Sequence, residues 1–142
     1  MKIYIASSWK NQHAVDMLTA ELRRMGHEVL SFVEKRMEQE SKVAAGETSV
    51  DEWISSDEWR EKFEYDTTGA TKSDLVVYIG PSGTDAWAEV GAAWGAGVPV
   101  LGLWSKGEPA GLMRRMVTWF GHYKDLLCRV IEDSGPEHGD AT

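Results

Sequence analysis

Between Ser73 and Leu103 the chain passes through an apolar stretch (Asp74 to Ile79), a Gly/Ser/Thr loop (Gly80 to Thr84), a small-residue run (Ala86 to Gly95) and a second apolar stretch (Val98 to Leu103). This is the succession strand, loop, helix, strand. A helix between two strands carries the chain back so that the second strand lies parallel to the first. Parallel α/β sheets bind ligands outside the carboxyl ends of their strands, and a helix opening there presents unpaired backbone N–H groups that favour an anion. Glu89 falls in the first turns of that helix and is the leading candidate for chemistry. Its position near a helix start leads us to expect a carboxylate that is ionised at neutral pH.

The rest of the chain repeats the same unit. Lys2 to Ala6 reads as a first strand ending at Ser7, Ser8 and Trp9. Asn11 is placed to cap a helix in which Val15, Leu18, Leu22 and Met25 recur at helical spacing, and Gly26 stops it. Glu28 to Val33 is a second strand. From Glu34 to Ser56 the pattern gives way to charged and small residues, and we expect a mobile insert that acts as a lid. It carries Trp53, and Trp59 follows it; either ring could roof a pocket or anchor the insert. Asp57 to Thr71 reads as a helix with Trp59, Phe63 and Ala70 inward. After the strand at Asp74 to Ile79 come a helix over 84–96, capped by Thr84 or Asp85 and stopped by Gly97, and a strand from Val98 to Leu103. Pro109 to Met116 is expected as a short helix, Val117 to Phe120 as the last strand and Tyr123 to Glu132 as the closing helix. The expectation is one α/β domain over residues 1–133, with 134–142 a disordered tail. Its core is a flavodoxin-like, Rossmann-like five-stranded parallel sheet of order 2-1-3-4-5, flanked by helices. In that order strands one and three are neighbours, so Ser7 and Ser8 meet the loop of Ser82, Gly83 and Thr84.

Composition narrows the functions. A formal net charge of -8 argues against binding duplex nucleic acid, which needs a basic face. Small anions remain compatible, because local backbone amides can hold them. Cys128 is the only cysteine, which rules out an intrachain disulfide and fits a reducing cytoplasm. No apolar run has membrane length, so neither a signal peptide nor a membrane span is expected. His13, His27, His122 and His138 are scattered, so no metal site is expected, and Cys128 is read as a packing residue. Neither a Gly-x-Gly-x-x-Gly after the first strand nor a Gly-Lys-Ser/Thr loop is present, and no cofactor is expected.

Several of these segments together resemble the nucleoside 2-deoxyribosyltransferase family, including its nucleotide N-hydrolase branch. They are Ile3-Tyr4-Ile5-Ala6-Ser7-Ser8, then Asp66 eight residues before Asp74, then Ala86-Trp87-Ala88-Glu89-Val90-Gly91 and Gly97-Val98-Pro99-Val100. The resemblance covers residues 1 to 127. It implies cleavage or transfer at the N-glycosidic bond of a nucleoside or nucleoside 5′-monophosphate, in a cytoplasmic homodimer or higher homo-oligomer. It also implies roles for particular residues. Glu89 is the catalytic carboxylate, Asp66 the proton donor or sugar-positioning acid, and Tyr4 its partner. Ser8 stands where the hydrolase branch binds a 5′-phosphate, and Ser82 or Thr84 matches its second loop. Met113 stands where a neighbouring subunit supplies a Met, with Gly111 at the preceding polar position. The chemistry is coherent, since breaking the bond from sugar C1 to base nitrogen develops positive charge that one carboxylate can stabilise or trap, while a second acid protonates the base.

Two other readings remain. Trp87-Ala-Glu89 after a Ser loop faintly resembles the helix start of TIR domains, which share the sheet plan; that implies an NAD glycohydrolase. The other is a non-catalytic nucleotide-binding module on the same fold, favoured if Tyr4 and Asp66 do not converge on Glu89.

Overall fold

A computed structural model describes residues 1–34 and 49–135, without the side chains of Val50 and Trp53. Most of the expected insert at 34–56 and of the tail at 134–142 therefore lies outside the described residues. In chain order the elements are β1 (Lys2–Ala6), α1 (Gln12–Arg24), β2 (Glu28–Ser31), α2 (Val50–Ile54), α3 (Asp57–Lys72), β3 (Leu75–Ile79), α4 (Thr84–Gly95), β4 (Val100–Leu103), β5 (Thr118–Phe120) and α5 (Tyr123–Ser134). The five strands form one sheet of order β2-β1-β3-β4-β5, every pair parallel. This is the expected architecture.

The period-two alternation of the central strands sorts their side chains onto two faces. Ile3, Ile5, Leu75, Val77 and Leu101 pack with Val15, Leu18 and Leu22 of α1 and Leu126, Leu127 and Val130 of α5. Tyr4, Ala6, Val76, Tyr78 and Val100 face the other way, onto Ala70 of α3 and Ala86, Val90 and Ala93 of α4. Both faces are covered, which explains why β3 is buried at all five residues and reads as a continuous apolar run.

Several local expectations are corrected. Strand β2 ends at Ser31, and Phe32–Glu34 form a single 3-10 turn. The segment expected as a helix from Pro109 is a 3-10 turn at Leu112–Met116. Helix α4 is capped by Gly83 with no side-chain hydrogen bond, so neither Thr84 nor Asp85 serves as its cap. Asn11 also makes no capping bond; its amide is spent elsewhere. Phe63 is 52% exposed rather than inward, and Cys128 is exposed rather than packed. The two expected glycine stops hold. Gly26 and Gly97 adopt φ of 96° and 81°, a region that side chains with a Cβ rarely enter.

Gly69 sets how closely α3 approaches the sheet. It lies on α3 against the ring of Tyr4, and a Cβ there would collide with the ring, standing 2.7 Å from Cε1 and 3.0 Å from Cγ. The missing side chain lets α3 sit close enough to β1 for its acidic face to stand over the sheet. Gly69→Ala is therefore expected to destabilise the fold by about 1–3 kcal/mol through overpacking, read as a lower urea midpoint at unchanged slope. A midpoint equal to wild type would show that α3 does not depend on this close approach.

Candidate active site

The carboxyl ends of β1 and β3 are fastened together at the middle of the sheet. Ser7 Oγ donates to Ile79 O at 2.7 Å, and Ser82 Oγ donates to the same carbonyl at 2.8 Å. Asn11 Nδ2 donates to Pro81 O at 2.8 Å and Ser7 Oγ at 3.0 Å. Tyr78 fixes the far side of this loop, accepting from Ser82 N at 3.0 Å and donating to Glu108 Oε1 at 2.7 Å. The loop feeding α4 is thereby held from both sides, and with it the start of the helix that carries Glu89.

Above this junction opens a cavity of about 450 Å³. Ser7, Ser8 and Trp9 border it from the segment that follows β1, and Gly83, Thr84 and Asp85 border it from the start of α4. Asp66 of α3 and Glu89 of α4 both line it. Tyr4 closes the arrangement from beneath. Its ring is fully buried, and its hydroxyl donates to Glu89 Oε1 at 2.9 Å. Of the site residues named from sequence, Tyr4, Asp66, Glu89, Ser7, Ser8, Trp9, Gly83 and Thr84 are thus gathered in one place. Two are not. Ser82 is buried and its hydroxyl is committed to the loop, outside the cavity lining. Met113 is 63% exposed on the 3-10 turn and does not line the cavity of its own chain.

The electrostatics depart from expectation. Glu89 is the sixth residue of α4, beyond the first turn where the helix dipole acts strongly. Burial, and after it the negative charge of Asp66, pushes the Glu89 carboxyl up to about 8, while the Tyr4 hydrogen bond and Lys62 pull the other way. The expected low value is thus corrected. Asp66 is also raised by burial, opposed by Lys62 and then Tyr4. The Tyr4 hydroxyl is itself pushed far up by burial and by the charges of Glu89 and Asp66, so it remains a donor. Two such groups titrate together, and near neutral pH a state with one proton between them is favoured over full ionisation.

Sequence reasoning missed Lys62. Its Nζ lies 2.9 Å from Asp66 Oδ1 and 3.3 Å from Phe32 O, and the residue is only 8% exposed. It also lies 5.5 Å from the centroid of the Phe32 ring and 5.6 Å from that of Tyr65. In sequence it sits within a charged run that reads as a solvated face. The available signal was spacing, since Trp59, Lys62, Phe63 and Asp66 fall at i, i+3, i+4 and i+7, one side of a helix. All four line the cavity, with Trp59 and Phe63 stacked at 5.6 Å and 8°.

Solved structures share this geometry of sheet and helices. A 2-deoxyribosyltransferase from Bacillus psychrosaccharolyticus superposes with a TM-score of 0.68 at 25% identity, covering 89% of this chain and 90% of that one. The chain has the fold of the 2-deoxyribosyltransferases. A CMP N-glycosidase from Clostridium botulinum matches at TM-score 0.59 and 15% identity over 92% of this chain and 98% of that one. A conserved protein from Enterococcus faecalis matches at 0.65 and 14% over 94% and 98%. No protein-family model and no curated protein matches by sequence. The 2-deoxyribosyltransferase resemblance seen in the sequence is therefore carried at the level of structure. Among the described residues, no helix is long and apolar enough to cross a membrane, and no group of three or more metal-ligating side chains is present.

The coupling between Glu89 and its neighbours has a definite sign. Tyr4→Phe removes a bond that favours the ionised carboxylate, so the Glu89 carboxyl should titrate above its value of about 8. Asp66→Asn removes a raising charge, so it should titrate below. Carboxyl carbon NMR titration checks both, and shifts in the same direction would refute the coupling.

Proposed function

We propose that this protein cleaves or transfers at the N-glycosidic bond of a nucleoside or nucleoside 5′-monophosphate. The observation that carries the reading is the convergence of Glu89 and Asp66 on one cavity at the junction of β1 and β3, with the buried Tyr4 bonded to Glu89 from beneath. The structural likeness to a 2-deoxyribosyltransferase and a CMP N-glycosidase supports glycosyl transfer or cleavage as the general chemistry.

Glu89 is the group beneath C1. In the fraction of molecules whose Glu89 has lost its proton, which grows as pH rises toward about 8, the carboxylate attacks C1 or stabilises the oxocarbenium ion while the C1–N bond breaks and its electron pair leaves with the base. The departing nitrogen needs a proton, which comes from the ion-paired unit of Asp66 and Lys62 on the facing helix. Water or a second base then attacks C1 and frees Glu89. Tyr4 holds Glu89 at a fixed angle through its 2.9 Å bond. Ser7, Ser8, Trp9, Gly83 and Thr84 form the rim that receives the substrate, with Ser8 and the α4 start available to a 5′-phosphate. No cofactor is needed for any of these steps.

We further propose a homodimer or higher homo-oligomer in which Met113 serves a neighbour's site. Support comes from the exposure of Leu112, Met113 and Trp94, at 81%, 63% and 61%.

Base release from a panel of nucleosides, nucleoside monophosphates and NAD, read by chromatography, tests the reading. Wild type should release base from at least one substrate, and Glu89→Gln should lower that rate by at least about 100-fold with the fold intact. Absence of release from every substrate, or full activity in Glu89→Gln, would overturn it.

A further inference from the structure

We propose that Lys62 is a catalytic residue: its ammonium gives the leaving base its proton, and Asp66 positions it. This rests on the glycosidic reading above. Trp59, Lys62, Phe63 and Asp66 share the cavity face of α3. From Trp59 to Asp66 is seven residues, about 10 Å along a helix and comparable to the length of a nucleoside. The stacked rings of Trp59 and Phe63 form an apolar platform suited to a base. Asp66 and Glu89 mark the sugar end. Lys62 lies between the two ends, where the base nitrogen that departs from C1 must be.

Its surroundings suit a donor. An ammonium has three N–H bonds; one is directed to Asp66 Oδ1 at 2.9 Å and one to Phe32 O at 3.3 Å. Among the described residues the third has no partner, which leaves it for a ligand. Lys62 is 8% exposed, so water competes little for that bond. Among the described residues, the charged and titratable groups that act on it are Asp66 and Tyr65 from α3 and Glu89 from α4, while Asp85 of α4 and Tyr4 of β1 act on Asp66 and Glu89 in turn. Arg23 and Glu34 pair with each other at 2.7 Å behind Tyr65. Asp66, held as the partner of this ammonium, is better placed to orient a donor than to be one.

Atoms and charge balance in this step. The C1–N bond breaks, its electron pair passes to the base, and one proton moves from Lys62 Nζ to a base nitrogen or oxygen. Positive charge on the sugar is met by Glu89. Lys62 is left as a neutral amine and regains its proton from solvent after the base departs.

The test compares leaving groups. Lys62→Arg keeps the charge and an ion pair with Asp66 but cannot surrender a proton at accessible pH. Lys62→Met keeps the volume and removes the proton. Both are assayed on the natural-type substrate found in the panel and on p-nitrophenyl riboside and 2-deoxyriboside, whose leaving group departs as a phenolate without a proton. Both variants should lose at least about 100-fold in kcat on the nucleoside and less than about 5-fold on the nitrophenyl glycoside. Should Lys62→Met not fold, the Lys62→Arg comparison stands alone. Equal losses on both substrates, or an active Lys62→Arg on the nucleoside, would overturn the donor role while leaving glycosidic cleavage by wild type intact. Failure of wild type to release base from any substrate would instead bring down the glycosidic reading and this inference with it.

Discussion

Two largely desolvated carboxyl groups in one partly open cavity set the terms for the rest of this structure. Glu89 and Asp66 lose water on folding, and each raises the other's cost by repulsion. Three features offset that cost. Tyr4 donates to Glu89, Lys62 pairs with Asp66, and a proton retained by the pair removes one of the two charges. Each requires particular backbone placement. Tyr4 must come from the central strand β1, Lys62 and Asp66 must share one face of α3, and α3 must approach β1 closely at Gly69. The strand order supplies the first condition, because β1 lies beside β3 and the α4 start rises from β3's carboxyl end.

The same arrangement divides labour between the two helices above the sheet. Helix α4 begins in a loop fastened by Ser7, Asn11, Ser82 and Tyr78, so Glu89 stands on a rigid base. Helix α3 carries a graded surface: aromatic rings at one end, a carboxylate at the other and an amine between. A ligand with an aromatic ring joined to a polyhydroxyl ring matches that gradient. The narrow joint between its two rings is the bond such a site can act on.

Much of the fold was legible in the sequence because it rests on period and punctuation. The apolar runs at Lys2–Ala6 and Leu75–Ile79, the helical recurrence of Val15, Leu18 and Leu22, and the glycines at 26 and 97 each have a direct structural cause. The 3-10 turn at Leu112–Met116 was harder to read, since a short segment of helix-forming residues gains little from propensity alone. Placement of Glu89 and Asp66 followed from topology and resemblance, whereas their charge states did not. A helix-start position suggests a low carboxyl value, yet depth in the cavity decides the matter, and depth depends on packing that no local pattern records. Lys62 escapes sequence reasoning, and Asn11 departs from its expected role, for a related reason. Each has a common surface role, as a solvated charge and a helix cap, and only the tertiary fold turns them inward.

A site graded in this way holds its substrate in one orientation. A crystal structure of Glu89→Gln with a bound nucleoside from the active panel would test this most directly. The account predicts the base against Trp59 and Phe63, its departing nitrogen within hydrogen-bond reach of Lys62, and C1 about 3–3.5 Å from the side chain at position 89. A nucleoside bound with its base against Asp66 and its sugar at the aromatic end, or bound outside this cavity, would contradict it.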